Sequence, residues 1–164
     1  MILYLVRHSK AEASNPLGDP HRRLTDKGIL RVTEVMTRFP PSAPKPEIIL
    51  HSLYIRAVQT AKLIATHWNL SLGLLQEKQA LIPHEDYSQV VSMCREQAQL
   101  GVNVVMLVSH NPLMEICAAA FLTKDRIVEP TFHTPSIFAI DWDSNSTSLK
   151  AQILWKIHPN DFSF

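Results

Sequence analysis

The chain has 164 residues and a nearly balanced charge, with 16 Lys and Arg against 15 Asp and Glu and a formal net charge of +1. This length predicts one domain spanning residues 1–164, which would bury about 70% of its unfolded surface around a single core. The charge balance argues against a nucleic-acid-binding surface, so any cationic site must be local.

Cysteine use and hydropathy indicate a cellular compartment. Cys94 and Cys117 lie in apparently helical segments without metal-ligand spacing, which predicts buried free thiols in a reducing environment. No apolar run approaches the ~20 residues of a membrane helix, and the N-terminus lacks the cationic and apolar regions of a signal peptide. We therefore expect a cytoplasmic protein that does not contact membranes.

A short strand opens the chain. Ile2 to Val6 is an unbroken apolar run, of the length expected for a strand buried on both faces. It ends in Arg7 and His8, which puts a guanidinium and an imidazole at the carboxyl edge of a sheet. Open α/β sheets bind ligands at that edge. The polar, turn-rich residues 10–24 predict a surface loop.

A helix is predicted after this loop, with Thr25 as its N-cap. Its inward face is an apolar stripe at helical spacing. The stripe consists of Ile29, Val32, Val35, Met36 and Phe39. The prolines between positions 40 and 46 stop this helix and make a stiff connection.

Residues 47–52 repeat the pattern of a short apolar run that ends in polar residues. We expect a second strand here, with Ser52 capping the helix that follows. That helix carries its apolar residues on one face and Arg56 near its start on another. Arg56 is therefore expected near the same sheet edge as Arg7 and His8.

The middle of the chain predicts a weaker strand within 74–81, a loop at 82–86 and a helix from about Tyr87 to Leu100. The loop could return over the same sheet edge, and it carries Glu85 and Asp86. Gly101 is the expected end of the helix.

Val102 to Val108 is the most convincing buried strand, and it runs directly into His110. Asn111 is a natural N-cap and Pro112 suits the first helical position, which predicts a helix to about Leu122. Residues 136–142 and 149–157 then predict an antiparallel strand pair joined by a polar turn.

Four functional side chains follow these apolar runs. Arg7, His8, Arg56 and His110 each come just past a predicted strand, and alternating strands and helices imply a largely parallel sheet. We therefore expect them to converge on one edge. Two guanidinium groups, two imidazoles and a helix N-terminus suit a dianionic phosphoryl group.

The motifs around these residues resemble those of the histidine phosphatase superfamily. Residues 5–9 resemble its Arg-His-Gly signature, with Ser9 in place of the usual glycine. Residues 56–61 resemble its Arg-Ala-x-Gln-Thr-Ala helix motif, and residues 108–112 resemble its second histidine motif. Residues 23–28 and 132–137 resemble further stretches of its small single-domain phosphohistidine phosphatase branch. The resemblance covers nearly the whole chain.

This resemblance implies a phosphoglycerate mutase-like α/β fold. The expected architecture is a three-layer sandwich with a mostly parallel central sheet, helices on both faces and an antiparallel C-terminal strand pair. The implied activity is a phosphatase that needs no metal or cofactor.

The resemblance also implies roles for individual residues. His8 is the implied nucleophile, and it must be neutral to attack phosphorus. Arg7, Arg56 and His110 are the implied groups that bind the phosphoryl oxygens and stabilise their charge. Ser9 and Asn111 are further predicted substrate-binding residues.

The general acid is left open by the sequence. Larger superfamily members use a carboxylic acid from the loop after the third strand, and Glu85 is the first candidate here, with Asp86 as the second. Alternatively neither residue is essential, because an imidazole leaving group needs an acid less than an alkoxide does.

Residues around the predicted site also have open roles. Asn15, His133 and Thr134 are candidates for the pocket rim. Lys10, Arg22 and Arg23 either steer an acidic partner or are solvated loop residues. Ser9 places a Cβ beside the nucleophile, and if this Cβ crowds the phosphoryl group, binding would survive while turnover falls.

Three functions remain open at this point. The preferred substrate is phosphohistidine on a phosphotransfer protein, since the short chain lacks the insertions that build sugar-phosphate pockets in larger members. The alternatives are a phosphatase for a small phosphoester or phosphoramidate metabolite and a phosphate-binding module with little turnover. The oligomeric state is not predicted.

Overall fold

The computed structural model describes residues 1–122 and 132–159. The strands in these ranges are β1 (Ile2–Arg7), β2 (Ile48–His51), β3 (Leu75–Glu77), β4 (Val104–Ser109), β5 (Ser136–Trp142) and β6 (Ala151–Ile157). The helices are α1 (Asp26–Thr37), α2 (Ile55–His67), α3 (Tyr87–Gln99) and α4 (Leu113–Phe121), with 3₁₀ turns at Asp19–His21, Leu72–Leu74 and Gln79–Leu81.

The strands form one mixed sheet in the order β3-β2-β4-β1-β5-β6. Strands β1 to β4 are parallel, and β5 runs antiparallel to both β1 and β6. Arg7 pairs with Ser109, and His51 pairs with Val108. The carboxyl ends of β1, β4 and β2 are therefore level, so the residues that follow them emerge side by side.

Successive side chains along each strand point to opposite faces of the sheet, so a hydrophobic core forms on each face. Leu3 and Leu5 of β1 belong to the core that includes residues of α3 and α4, whereas Tyr4 and Val6 belong to the core that includes residues of α1 and α2. This arrangement confirms the predicted three-layer α/β sandwich, its mostly parallel sheet and its antiparallel C-terminal pair.

Helix α1 begins at a close contact with the loop after β1. Thr25 is its N-cap, as predicted, and the hydroxyl of Thr25 accepts a hydrogen bond from the Gly28 amide at 3.1 Å. A Cβ on Gly28 would lie 2.0 Å from the Lys10 carbonyl oxygen, so only glycine fits. The prediction that Ile29 belongs to the inward stripe is wrong, because Ile29 is 39% exposed and Gly28 occupies the buried position.

Two predicted helix caps are also wrong. Helix α2 begins at Ile55 after Tyr54, and helix α4 begins at Leu113 after Pro112, so neither Ser52 nor Asn111 is an N-cap. The side chains of both residues form other hydrogen bonds, described below. The weak strand within 74–81 is reduced to three residues between two 3₁₀ turns.

Two further predictions concern burial and hydropathy. Cys94 and Cys117 are buried free thiols, as expected, and burial raises the pKa of Cys117 to about 12. Among the described residues, no helix combines the length and apolar character needed to cross a bilayer.

Candidate active site

His8 lies directly after β1 and is only 8% exposed. Its amide donates to the Ser109 carbonyl at 2.9 Å, which fixes it against the end of β4. Its Nδ1 lies 2.6 Å from the Ser9 carbonyl oxygen. Because a carbonyl oxygen can only accept, Nδ1 carries the proton and Nε2 keeps its lone pair.

The charge state of His8 follows from this environment. The pKa of His8 is lowered to about 3, chiefly by burial; the Ser9 hydrogen bond opposes this shift, and the nearby Arg56 and Arg7 guanidinium groups add to it. Arg56 Nε donates to His8 Nε2 at 3.1 Å, which agrees with an unprotonated Nε2. His8 is therefore a neutral imidazole at physiological pH.

Arg56 is held in place by Asp19, a residue that the sequence did not single out. Arg56 Nη1 donates to the Asp19 carbonyl at 2.7 Å, and Nη2 donates to Asp19 Oδ2 at 3.0 Å. The other oxygen, Oδ1, accepts from Arg22 Nη1 at 2.7 Å. Partial burial alone would raise the pKa of Asp19, but hydrogen bonds from Arg22 and Arg56 lower it overall. One carboxylate thus orients two guanidinium groups.

Arg7 and Asn111 belong to a second hydrogen-bond network. Arg7 Nη1 donates to the Phe132 carbonyl, which also accepts from Asn111 Nδ2 at 3.2 Å. Glu115 Oε1 accepts from Asn111 Nδ2 at 2.6 Å and from the Phe132 amide at 3.2 Å. Glu115 therefore fixes both Asn111 and the backbone that positions Arg7.

His110 follows β4 and is only 1% exposed. Its ring centroid lies 4.9 Å from that of His8, and its Nε2 lies 2.8 Å from Ser52 Oγ. Burial, with His8 and Arg56 nearby, lowers the pKa of His110 to about 2, so this imidazole is also neutral. The sequence missed Ser52 as a partner of His110, although a buried strand ending in a serine was the available signal.

Ser9 is completely buried and does not line the cavity beside His8. Its hydroxyl donates to the Gly28 carbonyl at 2.7 Å, and its amide donates to Thr60 Oγ1 at 3.1 Å. The Ser9 side chain thus points into the packing against α1 and α2. It was predicted to bind substrate or crowd the phosphoryl group, and this placement favours neither role.

The cavity beside His8 has a volume of about 290 Å³. Its lining residues are Arg7, His8, Lys10, Ala11, Arg22, Arg56, His110, Asn111 and Thr134. The sheet edge thus brings together the four residues expected to converge there, and Asn111 with them. Lys10, Arg22 and Thr134, whose roles the sequence left open, also line it. Asn15, Arg23 and His133 are not among the lining residues.

The two candidate acids do not line this cavity. Asp86 Oδ1 accepts from the Ser88 amide at 2.9 Å and caps α3, while Glu85 Oε2 accepts from Gln89 Nε2 at 3.2 Å. No acidic residue is among the lining residues within the described part of the chain. The role of Glu85 as general acid therefore stays a prediction.

The chemistry of this edge follows from its charges. Three guanidinium groups and one ammonium group surround two neutral imidazoles, an arrangement that attracts a dianion and leaves a nucleophilic nitrogen free of a proton. Within residues 1–122 and 132–159, no group of three or more His, Cys, Asp or Glu side chains is placed to hold a metal ion.

A family model matches this part of the chain. Residues 3–79, which carry Arg7, His8, Asp19 and Arg56, match the histidine phosphatase superfamily (branch 1). This part of the chain, 77 of the 164 residues, is therefore similar to that superfamily. The match supports a phosphoryl hydrolase, and no curated protein matches the chain significantly.

Solved structures extend the likeness to the whole chain. The protein histidine phosphatase SixA complexed with tungstate has a TM-score of 0.83 at 23% identity, covering 99% of this chain and 100% of its own. The α-ribazole phosphatase from Shigella flexneri has a TM-score of 0.66 at 18% identity, covering 93% and 94%. A phosphoserine phosphatase mutant from Entamoeba histolytica, complexed with phosphoserine, has a TM-score of 0.69 at 13% identity and covers 99% of both chains. At these identities the likeness shows the shared phosphoglycerate mutase-like fold.

Proposed function

We propose that this protein is a metal-independent phosphatase that works through a phosphohistidine intermediate on His8, with phosphohistidine on a phosphotransfer protein as its substrate. The observation that carries the proposal is the state of His8. Its proton is held on Nδ1, its Nε2 has a lone pair, and guanidinium groups lie beside it.

Two displacements complete the reaction. In the first, His8 Nε2 forms a bond to phosphorus while the bond from phosphorus to the substrate nitrogen breaks, and the departing imidazole keeps the electron pair of that bond and takes up a proton. In the second, water attacks phosphorus and the bond to Nε2 breaks. This step releases inorganic phosphate and returns His8 to its neutral form.

The cationic side chains bind the negatively charged phosphoryl oxygens in both steps. Arg7, Arg22 and Arg56 line the cavity and act as hydrogen-bond donors to these oxygens. His110 is neutral and has one N–H, which it donates to an oxygen. Arg56 Nε gives up its hydrogen bond to His8 Nε2 when phosphorus binds there.

The lining of the cavity favours a phosphoramidate substrate over a phosphoester, because the two substrates release different leaving groups. The described cavity wall has no carboxylate beside the nucleophile, and Glu85 and Asp86 make their hydrogen bonds elsewhere. An alkoxide leaving group depends strongly on a general acid, whereas an imidazole leaves with less assistance. If a general acid takes part, Glu85 is the first candidate and would have to approach the cavity.

The size of the cavity supports a protein substrate. About 290 Å³ is at the lower end of the range for pockets that enclose a small molecule, so the cavity fits a phosphoryl group and an attached ring better than a large metabolite. The likeness to the structure of a protein histidine phosphatase supports the same choice. The cytoplasm is the proposed location.

A phosphatase for a small phosphoester is the second candidate. It is favoured by the same fold in an α-ribazole phosphatase and in a phosphoserine phosphatase. The third hypothesis, a phosphate-binding module, rests on the open identity of the general acid and on the argument that Ser9 crowds the phosphoryl group. The Ser9 hydroxyl bonds to Gly28 and not into the cavity, which removes that argument.

The test measures inorganic phosphate release, with a chelator present, from a phosphohistidine-bearing protein and from a small phosphomonoester. We expect the wild type to prefer the phosphoprotein and His8→Ala to lose all activity. The matched control is His67→Ala, since His67 is exposed at the end of α2 and should be dispensable. Activity on the ester alone would favour the second candidate, and no His8-dependent release from either would contradict both.

A further inference from the structure

Ser9 uses all of its polar groups to connect His8 with two helices. Its carbonyl accepts from His8 Nδ1 at 2.6 Å, its amide donates to Thr60 Oγ1 in α2 at 3.1 Å, and its hydroxyl donates to the Gly28 carbonyl in α1 at 2.7 Å. The residue is completely buried. Its hydrogen bonds are therefore shielded from competing water.

The first of these hydrogen bonds determines how His8 can react. The Ser9 carbonyl keeps the proton on Nδ1 and so leaves Nε2 as the nucleophile. The direction of this carbonyl depends on the orientation of the peptide that follows Ser9. Any rotation of that peptide turns the oxygen away from Nδ1 and frees the imidazole ring.

The two anchors of Ser9 tie the residue to two different helices. The amide is bound to α2, and the hydroxyl is bound to the first turn of α1. Gly28 itself packs closely against the loop, since a Cβ at this position would lie 2.0 Å from the Lys10 carbonyl oxygen. The hydroxyl bond therefore ties the loop after β1 to α1 at the point where the two backbones approach closely.

The superfamily signature has glycine at this position, and glycine would lack one anchor. It would keep the amide and carbonyl bonds but lose the hydroxyl bond, and it would gain backbone freedom. We propose that Ser9 is a positioning residue for His8, which acts through its hydroxyl bond to Gly28 and keeps the nucleophilic tautomer in place. This inference rests on the proposed role of His8 as the nucleophile.

The variants Ser9→Ala and Ser9→Gly test this role. Both remove the hydroxyl, and only glycine also adds backbone freedom. We expect kcat to fall about 10-fold in Ser9→Ala, the equivalent of about one net buried hydrogen bond, and further in Ser9→Gly. KM should change less than 2-fold in both, since Ser9 does not line the cavity.

The ¹⁵N NMR signals of the His8 ring provide a readout that a general loss of stability would not move. We expect the wild type to show a protonated Nδ1 and an unprotonated Nε2, and Ser9→Gly to show averaging between the two tautomers. The control is Ser71→Ala, in which a hydroxyl that accepts from the Gly73 amide at 3.2 Å is removed from a turn outside the cavity. This variant should leave kcat and the His8 signals unchanged.

The two proposals can fail separately. If the wild type releases no phosphate in a His8-dependent manner, the proposed function is wrong, and the ring signals still decide whether Ser9 holds the tautomer. Folded Ser9→Gly with wild-type or higher kcat, or with unchanged ring signals, would overturn the role of Ser9. If Ser9→Gly does not fold, kcat and the His8 ring signals of Ser9→Ala decide whether Ser9 positions His8.

Discussion

Mild acid should destabilise this protein strongly, because the fold keeps two imidazoles neutral. His8 and His110 are only 8% and 1% exposed. Burial, assisted by neighbouring cations, lowers their pKa values to about 3 and about 2, against an ordinary value of 6.5. Below pH 6.5 the unfolded chain therefore takes up protons at these positions, whereas the folded chain does not.

The size of the effect follows from the two pKa values of each group. A depressed pKa in the folded state contributes stability that is present above the unfolded value and is lost as the pH falls. Between pH 7 and pH 5, each imidazole should reduce the free energy of unfolding by about 2 kcal/mol, and the pair by about 4 kcal/mol. Any folded pKa below about 4 gives nearly the same loss in this interval.

Urea unfolding at pH 7 and pH 5 measures this loss. The comparison is between the wild type and the double variant His8→Gln/His110→Gln, with His67→Gln as the control because His67 is exposed. All other titrating groups contribute similarly to the three proteins, so the difference isolates the two buried imidazoles. If the double variant loses as much stability as the wild type, these imidazoles are not held neutral, and the argument for a neutral nucleophile is refuted.

Two further substitutions test contacts at the same sheet edge. Ser52→Ala removes the partner of His110 Nε2 at 2.8 Å and should lower kcat for phosphate release about 10-fold. The control is Ser92→Ala, whose exposed hydroxyl should be dispensable. Equal kcat values for Ser52→Ala and the wild type would contradict a role for this contact. Gly28→Ala places a Cβ 2.0 Å from a backbone oxygen and should lower the free energy of unfolding in urea by about 1–3 kcal/mol. Gly73→Ala meets its nearest neighbour at 3.4 Å and should cost much less, so equal losses would refute the steric argument.

Residues that follow buried strands could be predicted from the sequence. An apolar run such as 2–6 or 102–108 predicts a strand from local pattern alone, and parallel strands bring their carboxyl ends to one edge. The register that pairs Arg7 with Ser109 then places His8 beside His110. Convergence of these side chains required no knowledge of loops, which explains why the core of the site was predictable.

Helix starts were less predictable, because a polar side chain at a strand end has several available partners. Ser52 and Asn111 both have the residue type of an N-cap. In the fold, Ser52 Oγ contacts His110 Nε2 at 2.8 Å, and Asn111 Nδ2 donates to Glu115 Oε1 at 2.6 Å. The partners are a buried imidazole and a half-buried carboxylate, and their burial depends on tertiary structure that local sequence does not encode.

Asp19 shows why the loop contribution to the site could not be derived from sequence. A Gly-Asp-Pro sequence predicts a turn, and nothing local indicates that the carboxylate faces α2. The Asp19 carboxylate lies there because the Arg56 side chain, only 5% exposed, needs an acceptor for its buried charge and Asp19 Oδ2 supplies it at 3.0 Å. The buried guanidinium selects the loop conformation, and the same loop brings Arg22 to the cavity wall. A cation placed by the sheet edge thus determines which loop residues complete the anion site.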